Sequence, residues 1–152
     1  MEKKISAFVI IRIMLGCLLV ISGIQKIMGP YQNFLYVVQS YAIFPSVLES
    51  VIAYILPWIE LIFGVFLLLG FWLKFTLNGL WLIVAGFIFI VTQALIRKLP
   101  LVECGCFGSL FSFPLPVILI LDSTILFILI QLSKNLDVTR HLSLDRYFER
   151  HP

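Results

Sequence analysis

The chain of 152 residues is 61% hydrophobic and only 12% charged, with a net charge of +3. A soluble domain has about twice that charged fraction, so folding in water would leave too few polar residues to coat the surface. The composition therefore excludes an ordinary soluble domain, and the scattered basic residues offer no nucleic-acid-binding patch. It predicts a single domain embedded in a lipid bilayer, because lipid solvates apolar side chains directly.

Four apolar stretches each approach the ~20 residues needed to cross the hydrocarbon core of a bilayer. They predict transmembrane helices at about residues 5–28, 47–69, 75–96 and 115–132. We therefore expect an all-α membrane protein, built as a four-transmembrane-helix bundle and followed by a tail at 133–152. Pro57 falls inside the second stretch, where neighbouring helices can satisfy the carbonyl that it frees.

The first connection contains apolar residues at helical spacing, namely Tyr31, Phe34, Leu35, Val38 and Tyr41. This pattern predicts a short amphipathic helix on the outer membrane interface, anchored by its aromatic side chains. An irregular capping loop is the alternative for so short a segment.

The distribution of Lys and Arg predicts the orientation of the bundle. With an even number of spans, both termini lie on one side. That side carries Lys3, Lys4, Lys74, Lys134, Arg140, Arg146 and Arg150, whereas the other carries Lys26, Arg97 and Lys98. We therefore expect both termini and the 133–152 tail to be cytoplasmic, and the loop between the third and fourth helices to be extracytoplasmic.

That loop contains the most informative segment of the chain, Glu103-Cys104-Gly105-Cys106-Phe107-Gly108. Two cysteines separated by one residue can form a disulfide only in a tight turn, for which Gly105 and Gly108 supply backbone freedom. So small a ring is expected to be strained, and strained disulfides are the labile or catalytic kind. Cys104 and Cys106 are therefore predicted to form a redox-active pair.

Other interpretations of the two cysteines remain open. They could form a structural disulfide, remain idle thiols, or bind copper(I) with the help of a partner. A closed zinc site needs four ligands, which the loop lacks, so no metal site is assigned. Within the redox interpretation, Glu103 disfavours the thiolate of Cys104, which makes Cys106 the better nucleophile. Cys17, within the first helix, is expected to act as a small apolar residue.

Ionisable residues inside a bilayer are costly and indicate function by default. Arg12 and Glu60 are expected at similar depth on the first two helices, so they are predicted to pair as a structural clamp. The alternative is a proton site or a quinone-headgroup site in which Glu60 titrates. Lys26, Gln93 and Asp122 are expected nearer the side of the cysteines, where Lys26 could favour a thiolate or simply extend to the interface.

Taken in order, these residues resemble a known family. The features that carry the resemblance are Arg12, Gly16, Ser22-Gly23, Lys26, Pro30, Tyr41, Pro45, Leu56-Pro57, Glu60, Gly64 and the Cys104–Gly108 loop. The set resembles the MauE branch of the DoxX-like membrane proteins. Glu103 stands where this family usually has an aspartate, which preserves the charge.

The resemblance implies a multi-pass protein of the bacterial inner membrane, with its Cys-x-Cys loop on the extracytoplasmic side. It also implies thiol-disulfide exchange with a thioredoxin-like partner, and the wider group includes quinone-linked oxidation. We therefore expect a thiol-disulfide oxidoreductase or an electron-transfer accessory, with quinone as the candidate cofactor. The alternatives are a non-catalytic small subunit or assembly factor of a larger membrane complex, and a copper-handling protein.

Overall fold

A computed structural model describes residues 2–97, 115–139 and 143–144, with side chains from residue 7 onward. The helices are α1 (Glu2–Met28), α2 (Tyr31–Ser40), α3 (Ser46–Leu69), α4 (Leu73–Ile96), α5 (Leu115–Lys134) and α6 (Leu136–Thr139). Four of them, α1, α3, α4 and α5, are long and apolar enough to cross a membrane. The predicted all-α architecture with four spans is confirmed, and the described ranges contain no strand.

The helix boundaries follow from local backbone chemistry. Pro45 lies at the N-cap of α3, where a missing amide hydrogen costs nothing, and Gly70 ends that helix in the left-handed conformation with φ of 68°. Trp72 then adopts φ of 46° and starts α4 at Leu73, two residues before the predicted start. The chain thus reverses direction within three residues, and apolar runs alone do not locate such a tight turn.

The first connection contains the predicted amphipathic helix, α2. Its first residue, Tyr31, donates a hydrogen bond from its hydroxyl to the Ser50 carbonyl at 3.0 Å, so the start of α2 is fixed to α3. No residue of α2 is fully buried. The helix therefore covers one flank of α3 while its other face stays exposed, as its amphipathic pattern predicts.

The spans pair as two antiparallel hairpins, α1 with α3 and α4 with α5. The α1–α3 contact depends on glycines at which the two backbones approach closely. A β-carbon on Gly23 would lie 3.0 Å from the Leu61 amide nitrogen, and one on Gly64 would lie 2.9 Å from the Val20 amide nitrogen. Small residues permit this type of membrane helix packing, and here they fix the register of the two helices.

Two apolar clusters hold the hairpins together. One contains Leu15, Leu67, Leu73, Leu77, Leu80, Leu129 and Leu132, and the other contains Tyr41, Val91, Ala94, Leu115 and Ile118. The first lies where α3 turns into α4, which we call the Arg12 end. The second lies where α1 ends and α5 begins, which we call the Lys26 end. Leucine packing is therefore densest at the Arg12 end of the bundle.

The close α1–α3 contact predicts opposite outcomes for two Gly→Ala substitutions. Gly64→Ala inserts a methyl group against the α1 backbone and should lower the free energy of unfolding by about 1–3 kcal/mol. Gly86→Ala is the matched control, because a β-carbon there meets nothing within 4 Å. It should be neutral or stabilise the helix by up to about 1 kcal/mol. Denaturant unfolding of the detergent-solubilised protein measures both, and equal effects would contradict the packing described here.

Candidate functional site

A partly buried ion pair joins α1 to α3 at the Lys26 end. Lys26, in the last turn of α1, places its Nζ 2.5 Å from Oε2 of Glu60 on α3. The two side chains are only 6% and 18% exposed. Removing a charge from solvent is costly unless an opposite charge compensates for it, so each residue accounts for the presence of the other.

Lys26 also contacts the amphipathic helix. Its ammonium nitrogen lies 5.4 Å from the centre of the Phe34 ring on α2, within the range of a cation–π interaction. One side chain therefore connects α1, α2 and α3. Lys26 thus lies in the last turn of α1 with its ammonium group in an ion pair, and its predicted effect on a cysteine thiolate stays a prediction.

Asp122, on α5, is the third charged residue of this region. Its Oδ2 atom is buried and has no hydrogen-bond partner in the part of the chain that the structure describes. Asp122 interacts electrostatically with Lys26, so the charge of Lys26 acts on both hairpins. A buried carboxylate oxygen without a donor is costly, and such groups commonly mark a site for a ligand, a water molecule or a proton.

Lys26, Glu60 and Asp122 border one cavity of about 100 Å³, which we call the Asp122 cavity. Its remaining wall is mostly apolar, with Leu56 and Phe87 among the lining residues. The cavity lies between the two hairpins, because α1, α3, α4 and α5 all contribute to its wall. An apolar chamber with a few polar groups that converge on it is the usual form of a small-molecule site.

A second cavity, of about 180 Å³, lies on the other side of Lys26 between α2 and α3. We call it the Tyr54 pocket, after one of the four aromatic residues in its wall. Those residues are Tyr31, Phe34, Tyr54 and Trp58, and Ala53 and Pro57 also line it. The sequence carries a signal for this pocket, since residues 54 and 58, like residues 31 and 34, share one face of a helix.

The expected pair between Arg12 and Glu60 is wrong. Glu60 pairs with Lys26, and Arg12 Nη1 donates a hydrogen bond to the Thr139 carbonyl at 2.8 Å. The fourteen residues from Arg12 to Lys26 span about 21 Å of helix, which removes Arg12 from Glu60. Depth counted from helix ends misses the register that the glycines impose, and that register places Arg12 beside Gly70.

Arg12 nevertheless has a structural role in the fold. Its side chain is 1% exposed, and its acceptor Thr139 ends the short helix α6. The Thr139 hydroxyl donates in turn to the carbonyls of Leu132 and Asn135, at 3.1 and 2.9 Å. Arg12 thus fixes the segment after α5 over the Arg12 end of the bundle, and this bonding pattern indicates a role in packing.

Two other expected groups stand apart from the cavities. Gln93 has a buried Oε1 atom with no donor among the described residues, but it lines neither cavity. Cys17 is an exposed free thiol on α1. Glu103, Cys104, Gly105, Cys106 and Gly108 lie outside the described residues. Within the described ranges, no group of three or more His, Cys, Asp or Glu residues could hold a metal ion.

The four apolar spans and the ion pair between them define a multi-pass membrane protein with a charged site at one end of its bundle. The chain belongs to the MauE family, because the family model described as methylamine utilisation protein MauE matches residues 4–133. The resemblance to MauE drawn from the sequence is thereby confirmed, while the broader grouping with DoxX-like proteins stays a prediction. No curated protein and no solved structure matches the chain.

The Lys26–Glu60 pair predicts strong coupling between two substitutions. Lys26→Met leaves the Glu60 carboxylate without its cation and should lower the free energy of unfolding by about 3–5 kcal/mol. Adding Glu60→Gln to Lys26→Met should restore part of that loss, because the Glu60 carboxylate is then removed and only Asp122 still lacks the nearby cation. Denaturant unfolding of the two single variants and the double variant gives the coupling energy directly. Additive losses would show that the two side chains act independently.

Proposed function

We propose that this protein is a membrane thiol-disulfide redox protein in which Cys104 and Cys106 are the reacting pair. The proposed partner is a thioredoxin-like protein on the extracytoplasmic side of a bacterial inner membrane. In the exchange, a dithiol on one protein becomes a disulfide while the disulfide on the other becomes a dithiol, so two electrons and two protons change hands. The family description suggests that this exchange serves methylamine utilisation.

The main support for this proposal is where the cysteine segment joins the fold. The segment connects Ile96, where α4 ends, to Leu115, where α5 begins, and both residues are at the Lys26 end of the bundle. The same end contains Lys26, Glu60 and Asp122. Chain connectivity thus attaches the cysteine segment to the end of the bundle that contains the Lys26–Glu60 pair, Asp122 and the two cavities described above. A purely structural disulfide would not require these neighbouring groups.

Quinone is the proposed electron carrier within the membrane, and the Asp122 cavity fits it. The wall is largely apolar, as a quinone ring requires, and the Asp122 Oδ2 atom has no hydrogen-bond partner among the described residues. Lys26 would donate a hydrogen bond to an oxygen atom of the ring, and the Asp122 carboxylate would accept one from the hydroxyl of the reduced quinol form. When bound, a quinone supplies a lipid-soluble acceptor for two electrons and two protons. In this proposal, the protein contributes a charged donor, a carboxylate and an apolar wall.

A labelling experiment in intact cells tests the proposed redox pair. A thiol reagent that cannot cross the inner membrane should modify Cys104 and Cys106 only after mild reduction. Before reduction the pair is a disulfide on the reagent's side of the membrane and offers no free thiol. Cys17 provides the internal control, since it lies within an apolar span and should stay unmodified until the membrane is dissolved. Labelling of the pair only after lysis would contradict the proposed sidedness.

Substitution of both cysteines separates exchange from assembly. Cys104→Ser with Cys106→Ser should abolish mixed-disulfide formation with a thioredoxin-like partner, because serine cannot attack a disulfide. The membrane level and unfolding midpoint of the protein should stay unchanged, as should those of the control Cys17→Ser. A loss of membrane level in the double variant alone would favour the alternative function, a non-catalytic subunit stabilised by a structural disulfide.

A further inference from the structure

The Tyr54 pocket has features that the proposed thiol exchange does not use. Its wall carries four aromatic side chains, from Tyr31 and Phe34 on α2 and from Tyr54 and Trp58 on α3. Aromatic faces carry negative charge density and attract cations, and cages built from them are a recurrent site for alkylated ammonium groups. The volume of about 180 Å³ is several times the roughly 30 Å³ that a water molecule occupies in the liquid.

A backbone acceptor lies in the same wall. Pro57 has no amide hydrogen, so it cannot form the helical hydrogen bond to the carbonyl of Ala53, four residues earlier. Both residues line the pocket, and Ala53 is 2% exposed. A carbonyl without its helical donor presents the negative end of a dipole, and that charge distribution favours a cation over a neutral or anionic ligand.

The charged residues nearby also favour a cation. Lys26 lines the pocket, but the Glu60 carboxylate at 2.5 Å offsets its charge. Glu49 is buried one turn before Ala53 on the same face of α3, about 6 Å along the helix axis. The Lys26–Glu60 pair is neutral, so Glu49 makes the summed charge of these three residues negative.

We propose that the Tyr54 pocket binds an alkylated ammonium group. The rings of Tyr31, Tyr54 and Trp58 supply cation–π attraction beside Phe34, whose ring already contacts Lys26. The Ala53 carbonyl supplies a dipole, and Glu49 supplies the net negative charge. The pocket lies where α1 ends and α2 begins, at the boundary between the apolar spans and water. An ammonium group at that depth can come from a phospholipid headgroup or from a free amine, and both have the chemistry that the pocket recognises.

The test compares choline with its uncharged carbon isostere, 3,3-dimethylbutan-1-ol. The full chain is placed in phosphatidylglycerol nanodiscs, and binding of each probe is measured by calorimetry and by saturation-transfer NMR of the methyl protons. Choline should bind at least tenfold more tightly than the isostere, because only choline carries the charge that the rings attract. Equal affinity for the two probes would overturn the proposal, since it would reduce the pocket to an apolar cleft.

Two matched tyrosine substitutions assign the binding to this pocket. Tyr54→Leu removes a ring from the wall and should weaken choline binding by about 2- to 30-fold, the range expected for one cation–π contact. Tyr36→Leu is the control, because Tyr36 lies on α2 outside the pocket and is 73% exposed. Both side chains are largely exposed, so neither change should unfold the protein. Equal weakening by the two variants would also overturn the proposal.

A change of lipid identifies the source of the ammonium group. If a phospholipid headgroup fills the pocket, free choline should no longer bind in phosphatidylcholine nanodiscs. If the pocket serves a free amine, choline affinity should be the same in both lipids. The described residues of the wall include no cysteine. Failure of choline binding would therefore leave the proposed thiol exchange untouched, and failure of the exchange would leave this site untouched.

Discussion

The arrangement of this bundle depends on how it compensates charged side chains that are largely shielded from water. Lys26 is the central residue, because its ammonium group binds Glu60, lies over Phe34 and interacts with Asp122. That single cation therefore links three helices directly and reaches the second hairpin electrostatically. It also forms part of the wall of both cavities. The glycine contacts between α1 and α3 make this possible, since they fix the register in which Lys26 meets Glu60.

The sequence was sufficient to predict the parts of the fold that depend on local pattern. Apolar runs of span length located α1, α3, α4 and α5, and the helical spacing of Tyr31, Phe34 and Val38 located α2. Contacts between side chains of different helices could not be predicted from the sequence in the same way. Equal distance from a helix end suggested that Arg12 meets Glu60, but contact depends on helix register. Gly16, Gly23 and Gly64 contain that information, yet which backbone each one meets emerges only from the folded chain.

The residues of the candidate site could likewise be predicted from the sequence only in part. Lys26 and Asp122 were both expected toward the side of the cysteines, and the structure places both at one cavity. Gln93 shares that depth but lines neither cavity, so depth alone does not assign a residue to a site. The Tyr54 pocket forms between two consecutive helices, α2 and α3, whose packing depends on a contact that a span diagram does not show, the hydrogen bond from the Tyr31 hydroxyl to the Ser50 carbonyl. The sequence pattern of each helix can identify the aromatic face that it contributes to the pocket, but it does not show that the two faces come together.

The two ends of the bundle satisfy their buried polar groups in different ways, and this contrast argues for the location of function. At the Arg12 end, the guanidinium group and the Thr139 hydroxyl both donate to backbone carbonyls, next to a dense leucine cluster. At the Lys26 end, Asp122 keeps an oxygen without a donor among the described residues, Pro57 frees a carbonyl, and two cavities remain between the helices. Proteins retain such costly features mainly where a ligand or a reaction uses them. The contrast therefore supports placing the proposed chemistry at the Lys26 end, where an ion pair, a buried carboxylate and a cavity adjoin one another.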